Sequence, residues 1–248
     1  MLENVIPGKC KISISPKHYD CLSSYIESAE AFSRNMFCPI FIADLFKKDL
    51  LYVSSNFSYL LDDRLTDHYL SNGQQDLPSF AQEDIEMLKT IFDSAYDMYL
   101  SFSIEERKQL VLSFYFHHHK NGKKIMVHQS LTPLALTEDG DLWLVLCTTS
   151  LSSQKKPGHC VMKLHNDNEY LQFNIEKGRW YYKEGLMLTY EEKEILILSS
   201  QGYTMKEIAA IFGKSIDTIK LYKRVLFSKL QVKSITEAVF AAINRNLI

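Results

Sequence analysis

Apolar residues recur at helical spacing early in the chain: Tyr19, Leu22, Tyr25, Ile26, Ala29, Phe32 and Met36. Steps of three and four are the period of a helix with one buried face. Ser15-Pro16 just ahead supplies an N-cap followed by proline at the first helical position. Residues 1–37 therefore predict one amphipathic helix that needs a partner surface, either the next domain or another subunit. From 38 to 150 the pattern alternates between strand and helix. Ile40-Phe41-Ile42-Ala43-Asp44 and Leu50-Leu51-Tyr52-Val53-Ser54 flank Lys47-Lys48-Asp49, which predicts a hairpin. A helix follows from about Gln82 to Leu100, with Ile85, Leu88, Ile91, Phe92, Ala95 and Tyr99 on one side. Asn121-Gly122 separates strands at 114–119 and 125–131, and Asp139-Gly140 separates strands at 134–136 and 142–148. Both dipeptides tolerate the positive φ of tight hairpin turns. A hairpin, a long helix and three consecutive antiparallel strands make an α+β domain.

Residues 151–185 open polar, with Ser152-Ser153-Gln154-Lys155-Lys156-Pro157-Gly158, a linker by composition. Strand-like alternation around 170–175, then Lys177-Gly178 and Trp180-Tyr181-Tyr182, predicts a two-stranded extension. From 186 to 248 the pattern changes to short helices, each opened by a hydroxyl residue. Thr189 caps a helix whose early Glu191, Glu192 and Glu194 suit the positive end of the helix dipole. Ile195, Leu196 and Leu198 form its apolar side, and Gly202 ends it. Thr204 caps the next, with Glu207 completing a capping box and Gly213 stopping it. Ser215 caps a third helix to about Leu230, and Ser234 a fourth, with Glu237 in the box position.

Composition removes several functional classes. Hydrophobic residues make up 46% and charged residues 23%, with nine Gly and six Pro, which excludes low-complexity and collagen-like chains. Cys10, Cys21, Cys38, Cys147 and Cys160 show no C-x-x-C spacing, so reduced thiols in a cytoplasmic protein are expected. No 18-residue apolar run occurs, and the start, Met1 to Gly8, lacks a basic region followed by an apolar core; neither a membrane span nor secretion is expected. His117-His118-His119 with His128 raise a metal site. Strand alternation pairs His117 with His119 and turns His118 away, with no acid or Cys at ligand spacing nearby, so surface histidines are the reading. Trp143 and Trp180 read as core or interface aromatics. No Gly-rich phosphate loop, G-x-S-x-G or H-E-x-x-H occurs, and no catalysis is expected.

The formal net charge of −2 argues against a nucleic-acid partner only as an average. From residue 201 on, Lys206, Lys214, Lys220, Lys223, Arg224, Lys229, Lys233 and Arg245 face only Glu207, Asp217 and Glu237. Basic charge is concentrated there, and the first 200 residues carry the acidic balance. The helix, short Gly-containing turn and helix from Thr204 to Leu230 have helix-turn-helix spacing. On the later helix Ile216, Ile219, Tyr222, Leu226 and Leu230 share an inner face. Lys220, Leu221 and Arg224 form the opposite stripe with Lys223 beside it, the layout that major-groove reading needs. Thr218 and the helix starts at Thr204 and Ser215 offer donors to phosphate oxygens.

Leu188-Thr189, Glu192, Glu194-Ile195-Leu196, Leu198, Gly202, Thr204, Lys206-Glu207-Ile208-Ala209, Phe212, Ser215, Thr218-Ile219-Lys220, Lys229-Leu230, Val232 and Glu237-Ala238-Val239 resemble the LuxR-type (GerE-type) DNA-binding domain. The resemblance implies that the helix at 215–230 enters the major groove. Lys220, Leu221 and Arg224 would face bases, with Thr218 and Lys223 near phosphates. The last helix would form the dimer contact, Ala238, Ala241 and Ala242 permitting close packing. Glu191 and Ile235 stand where that family usually carries a basic residue and an arginine.

Pro39-Ile40-Phe41-Ile42-Ala43-Asp44 with Tyr52-Val53-Ser54-Ser55-Asn56 and Phe57-Ser58-Tyr59-Leu60-Leu61 resemble the first hairpin and helix of a PAS domain. Gln82-Glu83-Asp84 resembles the segment opening its later helix, and Lys120-Asn121-Gly122-Lys123 and Glu138-Asp139-Gly140-Asp141 its final hairpins. This resemblance implies a domain that senses small molecules, cofactors or partners, or that dimerises. None of the cysteines has the Asn-Cys-Arg context of the flavin-binding subclass, and the hairpins contradict a receiver domain. The expected fold class is α+β: a PAS-like antiparallel-sheet domain followed by an all-α four-helix LuxR-type helix-turn-helix domain. Its parts are a helical extension at 1–37, the PAS-like sensor or dimerisation domain at 38–150, a linker with a hairpin at 151–185 and the DNA-binding domain at 186–248. The expected function is sequence-specific transcriptional regulation in the cytoplasm. Expected DNA-binding residues are Thr204, Lys206, Lys214, Ser215, Thr218, Lys220, Leu221, Lys223 and Arg224. Expected partners are double-stranded DNA, a second copy in a homodimer and RNA polymerase, with no membrane. No cofactor is predicted, and a small-molecule ligand in the PAS-like domain stays open. The alternative is a protein-interaction or dimerisation module without a ligand.

Overall fold

Pro16 has its φ fixed near the helical value, and the chain enters a 3-10 segment there, Pro16–Cys21, that runs into helix α1, Leu22–Ser33. The structure, a computed structural model, describes residues 14–56, 81–120, 123–152, 154–164, 169–245 and 247–248. Expectations for Met1 to Gly8, Cys10, the segment 57–61, Asn121-Gly122 and Ser153 lie outside the described residues. Ser15 makes no side-chain cap to the backbone; its Oγ lies 3.0 Å from His18 Nδ1. Tyr19, Leu22, Tyr25 and Ala29 pack on Ile40, Ile42, Trp143 and Leu144, so the helix finds its partner surface in this chain's own sheet. The apolar period outlasts that surface: α1 stops at Ser33, and Phe32 and Met36 are 68% and 44% exposed.

The sheet is built from β1, Ile40–Asp44; β2, Asp49–Val53; β3, Leu110–Lys120; β4, Lys123–Leu136; β5, Leu142–Leu151; β6, Cys160–Leu164; β7, Glu169–Asn174; and β8, Arg179–Glu184. Among the described residues these strands form one sheet in the order β2-β1-β5-β4-β3-β6-β7-β8, every neighbouring pair antiparallel. Two expectations are corrected. The segments 125–131 and 134–136 belong to one strand, β4, whose register slips between Pro133 and Ala135; such an irregularity accommodates a residue with no N–H to donate. In residues 151–185 the expected two-stranded hairpin forms as β7 and β8, but the segment is not a linker. The polar stretch only crosses to Cys160, which pairs with Phe114 of β3, and β6, β7 and β8 continue the same sheet because Cys160, Met162, Leu171 and Phe173 bury alternate side chains in it.

Helix α2, Gln82–Leu100, lays Leu88, Ile91, Ala95 and Tyr99 across Phe114, Phe116, Val127, Cys160, Met162 and Leu171. Trp180 Nε1 donates to Ser94 Oγ at 2.9 Å. Helix α3, Ile104–Arg107, was not expected; Ser103 and Glu106 form its capping box. Its Arg107 guanidinium donates to the carbonyls of Leu100, Phe102 and Gly140, tying the end of α2 to the β4–β5 turn. Gly140 has φ +80°, and a Cβ there would lie 2.6 Å from the Ile104 side chain, so the turn needs a residue without a side chain.

The histidines correct a further expectation. His118 and His128 are buried, and the His128 ring lies 4.8 Å from that of Tyr115. An acid does reach His117: Asp84, buried in the first turn of α2, accepts the His117 backbone N–H at 2.6 Å and lies 3.1 Å from its Nδ1. These contacts anchor the start of α2 on β3. At the first hairpin, buried Asp44 accepts from the N–H groups of Phe46 and Lys47 and from the Tyr19 hydroxyl at 2.7 Å. Burial, then the Asp44 contact, push the Tyr19 phenol up to about 12. Cys147 and Cys160 are buried, Cys38 half-buried and Cys21 exposed, all as free thiols.

The chain separates into two compact units, residues 1–184 and 185–248. The second is helical: α4, Tyr190–Ser200; α5, Met205–Phe212; α6, Ile216–Leu230; and α7, Ile235–Asn244. Their inner sides meet in one core that includes Leu188, Ile195, Leu196, Ile208, Ile219 and Leu226.

Candidate nucleic-acid interface

The helical unit is laid out by its caps. Thr189, Thr204, Ser215 and Ser234 each accept a hydrogen bond from the backbone N–H three residues on, which fixes where each helix begins. Gly213, at φ +59°, ends α5 in the left-handed region that glycine enters without steric cost. The Lys214 N–H returns to the Ala209 carbonyl at 2.9 Å, a tight reversal that starts α6 two residues later.

On α6, Ile219, Leu226 and Leu230 are buried and Tyr222 half-buried. Ile216, expected on the inner face, is 40% exposed, because the first turn of the helix extends past the core. Lys220, Lys223, Arg224 and Phe227 are spaced i, i+3, i+4 and i+7 and therefore share one face, with Phe227 half-buried against the core. With Met205 at the start of α5 and Ile235 at the start of α7, they line an open depression of about 460 Å³. Three cations thus edge an apolar floor. Lys220 pairs with Asp217 at 3.0 Å, both side chains largely exposed; such pairs contribute little and yield readily to a phosphate. Partial burial lowers the Lys223 ammonium from the ordinary lysine range, so a neighbouring anion would be favoured there.

The remaining expected residues divide. Leu221 is 52% exposed but does not line the depression. Lys206 and Lys214 are exposed. The Thr204 hydroxyl is already committed: it donates to Glu207 Oε2 at 2.7 Å, and the Thr204 bonds hold the Glu207 carboxyl below the usual carboxylate range. A carboxylate at that helix start opposes a phosphate contact. Ser215 Oγ lies 2.9 Å from Thr218 Oγ1, so one hydroxyl hydrogen of the pair stays within it and the other remains to be donated. Ala238, Ala241 and Ala242, taken as permitting contact between copies, are buried in the unit's own core; Phe240 and Ile243 are the more exposed apolar residues of α7.

One supporting pair escaped sequence reasoning. Lys229 of α6 donates to the buried Glu192 carboxylate at 2.8 Å. Glu192 also accepts the Thr189 N–H at 2.8 Å, so one carboxylate both caps α4 and pins α6 against it. Glu192 was legible as a capping residue; no local signal joins it to a lysine 37 positions on.

Residues 186–242 match the model of the family described as bacterial regulatory proteins, luxR family. The response regulator protein VraR of Staphylococcus saprophyticus subsp. saprophyticus is 44% identical over 109 residues, 42% of this chain and 51% of that protein. VraR of Staphylococcus aureus (strain NCTC 8325 / PS 47) is 44% identical over 62 residues, 25% of this chain and 30% of that protein. The chain therefore spans about half the length of the first and under a third of the second. Among solved structures, the phage VqmA–DPO complex has a TM-score of 0.34 at 16% identity, covering 94% of this chain and 92% of that one. A Vibrio cholerae VqmA dimer has a TM-score of 0.32 at 16% identity, covering 94% and 89%. The helical unit is a LuxR-type helix-turn-helix domain, as its residue pattern led us to expect. Among the described residues no helix is long and apolar enough to cross a membrane.

Proposed function

We propose that the chain is a sequence-specific, DNA-binding transcriptional regulator of the cytoplasm, with α6 as the reading helix. One observation carries this: Lys220, Lys223 and Arg224 converge outward on the helix whose inner side, Ile219, Leu226 and Leu230, is locked in the core. Donors fixed in this way keep their register along a groove. Arg224 and Lys220 read base edges together with Leu221, while Lys223, Thr218, Ser215, Lys206 and Lys214 position the domain on phosphates. Thr204 is left out of the contact, its hydroxyl and its backbone N–H both being held by Glu207.

The sheet unit is a PAS-like sensing or dimerisation domain in this reading. In support, the first hairpin, the long helix and the three consecutive antiparallel strands stand in the order that the PAS resemblance implies. A signal there changes the pairing of two copies, so that two half-sites about one helical turn apart are engaged together. RNA polymerase is the further partner once the protein sits on DNA. The competing reading, a protein-interaction module, has the exposed Leu221 and Val225 of α6 in its favour.

Titration of a fluorescent duplex across salt separates the two. A DNA reader loses affinity steeply as salt rises, and a flat dependence supports the interaction module. Arg224→Ala is expected to weaken binding to the specific site by about 1–3 kcal/mol while leaving the helical circular dichroism intact. Unchanged site preference in that variant would remove Arg224 from the reading stripe.

A further inference from the structure

Phe114, Cys160, Phe173 and Trp180 turn inward under α2, so their neighbours along each strand face the other way. On that outer face one row of paired residues crosses the sheet, from Ile40 through Thr148, Ser130 and Ser113 to Val161, Gln172 and Tyr181. Its two ends have different surroundings. At the Ile40 end, α1 packs on the sheet and Ile40, Ile42 and Leu144 are buried. At the β6–β8 end no described helix closes over the strands. Val111 and Val161 there, apolar as they are, stay half-exposed and belong to none of the apolar clusters. Strand alternation sets Lys163, Tyr170, Arg179 and Lys183 on this same face. Arg179, Tyr181 and Lys183 are exposed, and Lys163, Tyr170 and Gln172 half-exposed.

The charge on this face is of one sign, although the first 200 residues as a whole are acidic. The carboxylates of β7 and β8, Glu169 and Glu184, stand opposite each other on the inner side, and Glu176 lies beyond the strands in their turn, beside Lys177. Among the described residues, Lys163, Arg179 and Lys183 make no ion pair. Two tyrosines lie between the cations, Tyr170 opposite Lys183 and Tyr181 opposite Gln172, a diagonal pair at a spacing of about 7–8 Å. Lys177 Nζ adds a further cation 6.0 Å from the centre of the Tyr181 ring. Cations on a groove or sheet follow a phosphate backbone, and aromatic rings among them take the π-faces of bases. A duplex keeps its bases stacked inside, whereas an open strand can splay them onto rings. We propose that the outer face of β6, β7 and β8 binds single-stranded nucleic acid. Tyr170 and Tyr181 stack on successive bases, the Gln172 amide offers a donor and an acceptor to a base edge, and Lys163, Arg179 and Lys183 hold the phosphates. This surface belongs to the sheet unit and α6 to the helical one, so it stands or falls independently of how α6 reads a duplex.

The test uses the full chain and a fluorescent oligothymidylate of about ten nucleotides, read by anisotropy with an excess of unlabelled mixed-sequence duplex present to occupy α6. The strand is expected to bind under these conditions; no binding, or displacement by the duplex, overturns the proposal. Tyr170→Ala and Tyr181→Ala should each weaken binding about tenfold, the loss of one base stack. Tyr181→Phe keeps the ring and should bind as the wild type does. Lys183→Gln should lower the salt slope of binding by about 0.7, the share of one phosphate contact to a single strand. Tyr182→Ala, one residue along and on the opposite face, removes a ring that is 76% exposed and should leave the affinity unchanged. Tyr181 and Lys183 are exposed, so their variants are expected to keep the wild-type urea midpoint, which separates lost binding from lost fold. Unchanged affinity in both alanine variants of Tyr170 and Tyr181 would mean that charge alone holds a polyanion there. An equal loss in Tyr182→Ala would place the strand elsewhere. Either result overturns the assignment.

Discussion

In the sheet unit, neighbouring elements are held by residues distant in sequence: Ile40 pairs with Thr148, and Phe114 with Cys160. In the helical unit, each helix begins at a Ser or Thr whose partner stands three positions on. Distant pairing brings polar side chains such as Gln129, Thr149 and His128 under cover together with the apolar ones. Local capping leaves the polar side of α6 free to face outward. One unit is thereby suited to enclosing something, and the other to presenting something.

The strongest way to break this contrast is at the cores. Leu88→Ala, on the face of α2 that is fully buried against the sheet, is expected to cost about 2–5 kcal/mol, read by urea unfolding through the tryptophans of the sheet unit. A cost below about 1 kcal/mol would mean that α2 does not hold the sheet as a single core. Next comes a distant pair in the helical unit, Glu192 and Lys229. Glu192→Ala removes both a cap and the partner of Lys229, with an expected cost of about 2–3 kcal/mol, followed by helical circular dichroism. Lys229 keeps a third of its side chain exposed, which holds the figure below that of a fully buried pair. Thr204→Ala tests the local side alone, at about 1 kcal/mol; no loss would show that Glu207 holds that helix end unaided.

The smallest effect sharpens the contrast by pH. The folded Tyr19 phenol stands near 12 against an ordinary 10.0, so the unfolded chain ionises first. Its contribution to stability is full below pH 10 and is lost as pH rises towards 12. Tyr19→Phe should show a shallower loss of stability across that window than the wild type. Identical slopes would mean that the Tyr19–Asp44 bond does not secure the N-terminal segment.

Legibility follows the same division. The helix Gln82–Leu100, the turn at Gly140 and the caps at Thr189, Thr204, Ser215 and Ser234 were readable because each signal lies within one turn or one hairpin. In residues 151–185 the hairpin of β7 and β8 is legible, but its membership of the main sheet is not, because composition marks a polar crossover and says nothing of which edge the next strand joins. The histidines were misread for a related reason: Asp84 reaches His117 only when α2 docks. The alanines of α7 were assigned to a second copy, while the fold uses them inside.

The sequence by itself determined where helices start and stop, which part of the chain is basic, and that the helix after Gly213 carries its cations away from its apolar side. These depend on residues a few positions apart, whose geometry the backbone fixes. Only the tertiary structure decided that Lys223 joins Lys220 and Arg224 around an apolar floor, that Glu192 pins the reading helix, and that β6 brings Lys163 onto the face of the sheet that Arg179 and Lys183 share. Those outcomes turn on which distant surfaces exclude water together, and no local pattern encodes that choice.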